Sequence, residues 1–262
     1  MTRRARAIAC LAAAAAAAAC IDVSVNTEEL GSVEVVNRGA PAVAAGDTLR
    51  DPSGAVSPLE VRVYDAGGNL MTDRPIQFLN GDTVATVTAE GLVIARAGVT
   101  GTARIYAVVD SQLQSVVQAI EVVPRPESLA FSGAVVRDTI EYRSLAADPT
   151  DTSAALAVRV AAAGTANVPR WIVTFALQRT ADGSAITDTT IFAIVTDQGR
   201  VSTADTTDAS GLASRRVRIR AIPGTTLVDS VTVVASARHT AQPLPGSPKQ
   251  FVVLVRPRTA SP

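Results

Sequence analysis

The residues that could do chemistry are few in this chain and lie far apart in the sequence. His239 is the only histidine, which excludes a catalytic triad or a metal site built from several histidines. The sequence also lacks the phosphate-binding glycine loops and the paired-histidine zinc motif. Because His239 precedes the proline-rich run Pro243–Pro248, we expect it to be exposed to solvent in a loop. The sequence therefore predicts no catalytic, cofactor-binding or metal-binding residue.

Acidic residues form a loose group in the second half of the chain. Asp205 and Asp208 are neighbours, Asp197 is nearby, and Asp148 and Asp151 lie further off. Calcium takes six to eight oxygen ligands, but these acids do not follow the spacing of an EF-hand loop. They fall in turn-like sequences, where an aspartate accepts hydrogen bonds from its own backbone. We expect turn roles; a structural calcium ion at a domain end and a glycosidase-type carboxylate pair are the alternatives.

The most concentrated positive charge is a set of alternating arginines. Arg216, Arg218 and Arg220 would share one face of a strand, with Arg215 beside them. Such a row is typical of the solvated face of a sheet, where charge also prevents edge pairing. The alternative is a surface that meets an acidic polysaccharide or a lipid headgroup.

Aromatic residues are only 3% of the chain, which is little for a platform that stacks sugar rings. Trp171 shares a face with Val173 and Phe175, so we expect it to fill the core of a domain. Tyr106 and Tyr142 are the only spare candidates for an exposed aromatic pair.

The first twenty residues have the pattern of an export signal. Arginines at the start are followed by the unbroken apolar run Ile8–Ala19 and by Cys20. A helix over those 12 residues would be roughly 18 Å long, too short for a hydrocarbon core of about 30 Å. The polar segment Asp22–Glu29 ends the apolar run. We therefore predict a signal peptide over residues 1–19.

Both cysteines, Cys10 and Cys20, lie in this N-terminal region. The segment Ala17–Cys20 resembles the lipobox of bacterial lipoproteins, with Ala17 where leucine is usual. That resemblance implies a lipid on Cys20, which would anchor the mature chain to a membrane and leave it without a free thiol. Cleavage after an Ala-x-Ala motif is the alternative, and it would leave the protein periplasmic or secreted.

Composition narrows the functional class. The chain has 262 residues, with 24 basic and 24 acidic side chains. Removal of the signal leaves 21 basic residues against 24 acidic ones, a net charge of −3. A nucleic-acid-binding protein would show a strong basic excess, so this class is excluded. About 240 mature residues are enough for one large or two ordinary domains.

The rest of the chain has the period-two pattern of β-strands. In Leu59–Tyr64, Arg104–Ala107 and Arg216–Arg220, apolar residues alternate with polar or charged ones. Turn sequences separate such segments, for example Asp65–Asn69 and Asp197–Gly199. No segment outside the signal shows sustained helical periodicity. The sequence therefore predicts an all-β protein made of antiparallel sandwiches.

Two prolines separated by one residue, in Pro124–Glu127, indicate a stiff connection between two domains. We predict a signal peptide at 1–19, a tether at 20–31, domains at 32–124 and 125–257, and a disordered tail at 258–262. The second domain should carry long loops around Arg143–Ser153, Gln178–Thr190 and His239–Gln250.

A succession of short motifs carries a family resemblance in the first domain. Val84–Val87 and Gly91–Ala95 are followed by Gly98 and Gly101–Ile105, and Gly46–Leu49 lies upstream. This succession resembles the group 2 bacterial Ig-like domain over nearly all of residues 32–123. Phe78 stands in a strand in which that family often has tryptophan.

The second domain resembles the group 1 Ig-like domain of invasin and intimin stalks. The residues that carry this resemblance are Val173–Phe175, the turn Thr207–Ala213 and the strand Val231–Ala235. Neither family has a catalytic site, so the resemblances imply a non-enzymatic protein without a cofactor.

Signal and domains together predict an exported lipoprotein of the cell envelope, at the outer membrane or the cell surface. It would act as an adhesion or spacer module and meet a surface protein or a polysaccharide. A polysaccharide-binding accessory protein and a cryptic hydrolase are the alternatives.

Overall fold

The computed structural model describes residues 29–133, 135–142, 150–220 and 229–258. Regular structure within these ranges is β, apart from a single 3-10 turn at Ala163–Thr165. The first domain contains β1 Leu30–Val36, β2 Ala42–Ala44, β3 Glu60–Asp65, β4 Leu70–Met71, β5 Ile76–Asn80, β6 Ala85–Val87, β7 Val93–Ala95, β8 Gly101–Val109, β9 Leu113–Gln114 and β10 Gln118–Val123. The second contains β11 Ser128–Phe131, β12 Arg137–Tyr142, β13 Thr150–Thr152, β14 Leu156–Ala161, β15 Ile172–Arg179, β16 Phe192–Val195, β17 Ala204–Thr206, β18 Leu212–Arg220, β19 Ser230–Ser236, β20 Arg238–His239, β21 Gln242–Pro243 and β22 Lys249–Pro257.

The first domain is a sandwich of two sheets. One has the strand order β1-β3-β4, and the other has the order β2-β10-β8-β5, with β6 and β7 forming a separate hairpin. β2 runs parallel to β10, whereas β10 and β5 are each antiparallel to β8. The first strand is thus split between the sheets, because β1 pairs with β3 whereas β2 pairs with the last strand, β10. Such a split is typical of immunoglobulin-like sandwiches.

Alternating side chains fill the space between these sheets. Val63 of β3 and Ile105 of β8 are buried, whereas Arg104 is exposed, as the period-two pattern predicts. Val33 and Val109 belong to the same apolar cluster although they come from opposite sheets. The predicted turn at Asp65–Asn69 is present, closed by a 3.0 Å bond from the Gly68 N–H to the Asp65 carbonyl.

The second domain repeats this plan on a larger scale. One sheet has the order β11-β14-β18 with β13 and β16 also on β18, and the other has the order β12-β22-β19-β15-β17. β12 runs parallel to the last strand, β22, as β2 does to β10. The large apolar cluster between the sheets is centred on Phe251, Phe175 and Ile219. The chain is thus two Ig-like β-sandwiches in tandem, which confirms the fold class predicted from the sequence.

The connection between the domains is short. β10 ends at Val123 and β11 begins at Ser128, so the segment with the two prolines lies between the domains. β1 begins at Leu30, within the segment that the sequence analysis places in the tether. The predicted signal peptide and the first nine residues of the tether lie outside the described residues, as do positions 259–262 of the predicted tail.

Candidate functional site: the domain junction

The loop between β2 and β3 carries a pair of charged side chains at the end of the first domain. A positive φ of 80° at Gly46 turns the chain directly after β2. The Asp47 carboxylate then accepts the Thr48 N–H at 2.8 Å. Arg50 donates to both oxygens of this carboxylate, from Nε and from Nη2, each at 3.1 Å. The fork fixes the orientation of Asp47.

His239 reaches this carboxylate from the second domain. It lies in the hairpin of β20 and β21, and its Nε2 is 2.9 Å from Oδ2 of Asp47. Only 10% of the His239 side chain is exposed. The prediction that His239 is exposed to solvent is therefore wrong, because the long loop that contains it folds against the first domain.

Electrostatics at the junction favour a neutral imidazole. Burial lowers the pKa of His239 below its usual 6.5, and the nearby cations Arg125 and Arg50 lower it further, although Asp47 opposes them. Burial alone would raise the pKa of Asp47, but hydrogen bonds from Arg50 and the Thr48 N–H outweigh it and hold the pKa below 3.8. At neutral pH the contact is therefore a hydrogen bond from Nε2–H to a carboxylate.

Trp171 lies beside His239, within the second domain. Its indole Nε1–H donates to the Arg238 carbonyl at 3.0 Å, and its ring centroid lies 5.9 Å from that of His239. The ring is partly buried and packs on the apolar cluster of the second domain. The expectation that Trp171 fills the core is met from the edge of that core, where the ring also supports the junction.

The two backbones meet at Gly54. A Cβ at this position would lie 1.7 Å from the Thr240 carbonyl oxygen, and the φ of Gly54 is +91°. Only glycine allows both this approach and this conformation. The Gly54 carbonyl accepts Nη1 of Arg50 at 3.0 Å, so the arginine connects the close approach to the carboxylate.

Apolar contacts complete the interface. Ala42 of β2 and Val123 of β10 belong to the apolar cluster of the second domain, although both are residues of the first. The cleft between the loop after β2 and strand β15 has a volume of about 60 Å³, room for a few water molecules. A second, open groove on the other side of His239, lined by Arg125, Pro126 and Leu244, has a volume of about 470 Å³. The polar, backbone and apolar contacts between these openings hold the two domains together.

The arginines of β18 point to both sides of the sheet. Arg216 lies on the outer side, where its Nε is 2.9 Å from Asp197. Arg215 points inward, only 8% exposed, and its Nη1 lies 2.8 Å from Asp205. The outer row therefore has the solvated position that we expected, and the buried ion pair of Arg215 was not anticipated.

The acidic residues do not converge. Asp208 caps its own turn, accepting the N–H groups of Ser210 and Leu212 at 2.8 and 3.0 Å, which confirms its turn role. The prediction of a turn is wrong for Asp205, which lies in β17 and pairs with Arg215, and for Asp151, which lies in β13. In the described ranges no three acidic, histidine or cysteine side chains group as a metal site would require. Asp148 lies outside those ranges.

The other candidates are dispersed. Tyr106 lies on β8 of the first domain, whereas Tyr142 ends β12 and packs on the core of the second, so they form no pair. Cys20 lies outside the described residues. No helix in the part of the chain that the structure describes is long and apolar enough to cross a membrane.

The first-domain half of the junction was not predicted from the sequence. Asp47 and Arg50 look like ordinary polar residues of a turn, and Gly54 like an ordinary loop glycine. The available signals were the Gly46-Asp47 turn and the length of the loop that contains His239. Neither signal shows that the two loops meet.

Comparison with known proteins gives similarity in structure. No family model matches the sequence, and no curated protein matches it. The structure is similar to that of the adhesin InvE of Yersinia pseudotuberculosis, with 19% identity and a TM-score of 0.35, over 87% of this chain and 60% of that one. It is also similar to domains 4 and 5 of the S-layer protein SbsC, with 14% identity and a TM-score of 0.32, over 87% of this chain and 99% of that one. A third similar structure is that of the fibronectin(III)-like modules of Clostridium thermocellum CbhA, with 12% identity and a TM-score of 0.32, over 88% of this chain and 97% of that one.

These similarities concern the β-sandwich fold alone. The chain spans less than two thirds of the length of the adhesin structure. The assignments of the first domain to group 2 and of the second to the invasin type stay predictions, as does the lipoprotein signal.

Proposed function

We propose that this chain is a non-enzymatic adhesion or spacer module of the cell envelope, whose two Ig-like domains are held in a fixed relation. The observation that supports the proposal is the bonded junction: the hydrogen bond from His239 to Asp47, the contact of Gly54 with Thr240, and the shared apolar cluster. A spacer must transmit position and force from its anchor to its tip. An interface with polar, apolar and backbone contacts resists bending better than a proline linker alone.

The anchor in this proposal is a lipid on Cys20. The support is the sequence pattern of the first twenty residues, and the second domain would then face away from the membrane. Intact mass spectrometry of the membrane fraction tests it, with wild type beside Cys20→Ala. We expect a diacyl- or triacylglyceryl mass on a chain that starts at Cys20, absent from the variant. An unmodified soluble chain would make the protein periplasmic or secreted.

The fixed relation of the domains is tested by small-angle scattering of the Cys20→Ala chain. We expect one narrow distribution of interdomain distances at neutral pH. The added substitutions Asp47→Ala and His239→Ala should broaden it, because they remove the polar contact of the junction. Glu60→Ala is the matched control, since it removes an ion pair with Arg38 that lies within the first domain. A distribution that is already broad in the parent chain would contradict the proposal.

A further inference from the structure

Strand β5 leaves one edge of the first domain open. It is the last strand of the sheet β2-β10-β8-β5, and it pairs only with β8 among the described strands. An open edge presents a row of N–H and C=O groups that another strand can bind.

Hydrogen bonds at both ends of β5 show which groups point outward. The Asp110 N–H donates to the Pro75 carbonyl at 3.1 Å, and the Gly81 N–H donates to the Arg104 carbonyl, also at 3.1 Å. In an antiparallel ladder the residues that bond to the partner alternate along the strand. The residues whose N–H and C=O groups point away from β8 are therefore Ile76, Phe78 and Asn80. No other described backbone pairs with them.

We propose that β5 is a self-association surface, on which a second copy of this chain pairs antiparallel with β5 of the first. A twofold axis at Phe78 places Ile76 opposite Asn80 and each Phe78 opposite the other. Every outward N–H and C=O of both strands then has a partner. A register shifted by two residues leaves some of these groups unpaired, so the geometry favours this register.

Charge supports the same register. Arg74 and Asp82 flank β5 at its two ends, so this register brings Arg74 of one copy towards Asp82 of the other, and the twofold axis makes this approach occur twice. Opposite charges that approach across a ladder stabilise it. Within each chain Arg74 is 3.2 Å from Asp110, and Asp82 is 3.1 Å from Arg104 and also accepts the Arg104 N–H at 2.8 Å, so both flanks carry mixed charge.

The exposed side chains are compatible with the pairing. Ile76 is 38% exposed, and a groove lined by Pro75, Ile76 and Val108 runs beside the strand. A five-residue edge is much smaller than the interface of a stable dimer, so the affinity should be low in dilute solution. The pairing rests on strand geometry and does not depend on the proposed function; display on one surface would strengthen it by local concentration.

The experiment is sedimentation equilibrium of the full chain as the cell processes it, from about 10 µM to about 1 mM. Every sample carries Cys20→Ala, so that no lipid contributes to association. We expect a monomer–dimer equilibrium that Ile76→Pro abolishes, because proline removes an outward N–H and leaves the bonds to β8 in place. Val116→Lys is the control, since Val116 is exposed on the connection between β9 and β10.

A charge-reversal pair separates dimer contacts from effects on folding. Arg74→Glu and Asp82→Arg should each weaken the dimer about tenfold, because like charges then face each other. The double variant should recover the parent affinity within about twofold, although both of its intrachain ion pairs are lost. If the losses of dimer affinity in the two single variants add in the double variant, the proposal is overturned. So would a chain that stays monomeric at about 1 mM, or a dimer that Ile76→Pro leaves intact.

Discussion

Removal of the carboxylate at the junction should uncouple the two domains. Asp47→Ala takes away the hydrogen bond from His239 and the fork from Arg50, and it leaves both donors beside a small apolar residue. A hydrogen bond to a charged group contributes about 1.5–3 kcal/mol. His239 and Asp47 are 10% and 19% exposed, so their bond should reach the lower end of this range. Because the partly exposed ion pair with Arg50 is lost as well, we expect Asp47→Ala to lower the free energy of unfolding by about 2–3 kcal/mol.

Trp171 provides the assay. It is the only tryptophan, it belongs to the second domain, and it lies beside His239. Urea unfolding followed by its fluorescence therefore reports the stability of the second domain. A double-mutant cycle of Asp47→Ala and His239→Ala measures the coupling between the domains, and we expect about 1.5 kcal/mol.

A variant far from the junction is the control for this cycle. Asp82→Ala, in the first domain and away from the junction, should move the Trp171 transition by less than about 0.5 kcal/mol. A coupling energy below about 0.3 kcal/mol for Asp47 and His239 would refute the reasoning, because additivity within that limit is the behaviour of independent sites.

The protonation of His239, the backbone at Gly54 and the ion pair of Arg215 give three further predictions. Since the native pKa of His239 lies below 6.5, its contribution to stability is complete above pH 6.5 and is lost as the pH falls through the lower native pKa. Scattering at pH 7.5 and pH 5 should therefore show a broader distribution of interdomain distances in acid. The change should be smaller in His239→Gln. Gly54→Ala should disrupt the junction at least as strongly as loss of the histidine, since its Cβ would overlap the Thr240 carbonyl, and scattering should show broadened interdomain distances while each domain stays folded. Arg215→Met should lower the free energy of unfolding of the second domain by about 3 kcal/mol, because it leaves Asp205 without its buried partner. A loss below about 1 kcal/mol in thermal unfolding would show that the ion pair contributes little to stability.

The strands and their inward faces were predictable because they depend on local periodicity. Val63 and Ile105 are buried, and Val217 and Ile219 alternate with arginines along β18, as the pattern indicates. Arg215 is an exception, because the alternation places it on the buried face against the usual preference of a charged side chain. That burial is tolerated because Asp205 of β17 and the carbonyl groups of Ser202 and Ser214 accept the N–H groups of the guanidinium.

The candidate site was not predictable in the same way. His239 and Asp47 are 192 positions apart, and neither residue type is unusual in a loop. Their meeting depends on the orientation of the two sandwiches and on the path of the loop before β22. No pattern of short period carries that information.

By itself the sequence determined the all-β class and the residues that face inward, and it predicts a division at the two prolines and an export signal. These follow from alternation, turn residues and composition, which act over a few neighbouring residues. Only the tertiary structure decided that His239 is buried against Asp47, that Gly54 must be glycine and that the edge of β5 is open. Those facts arise where distant segments meet or fail to meet, and the packing of whole domains sets such contacts.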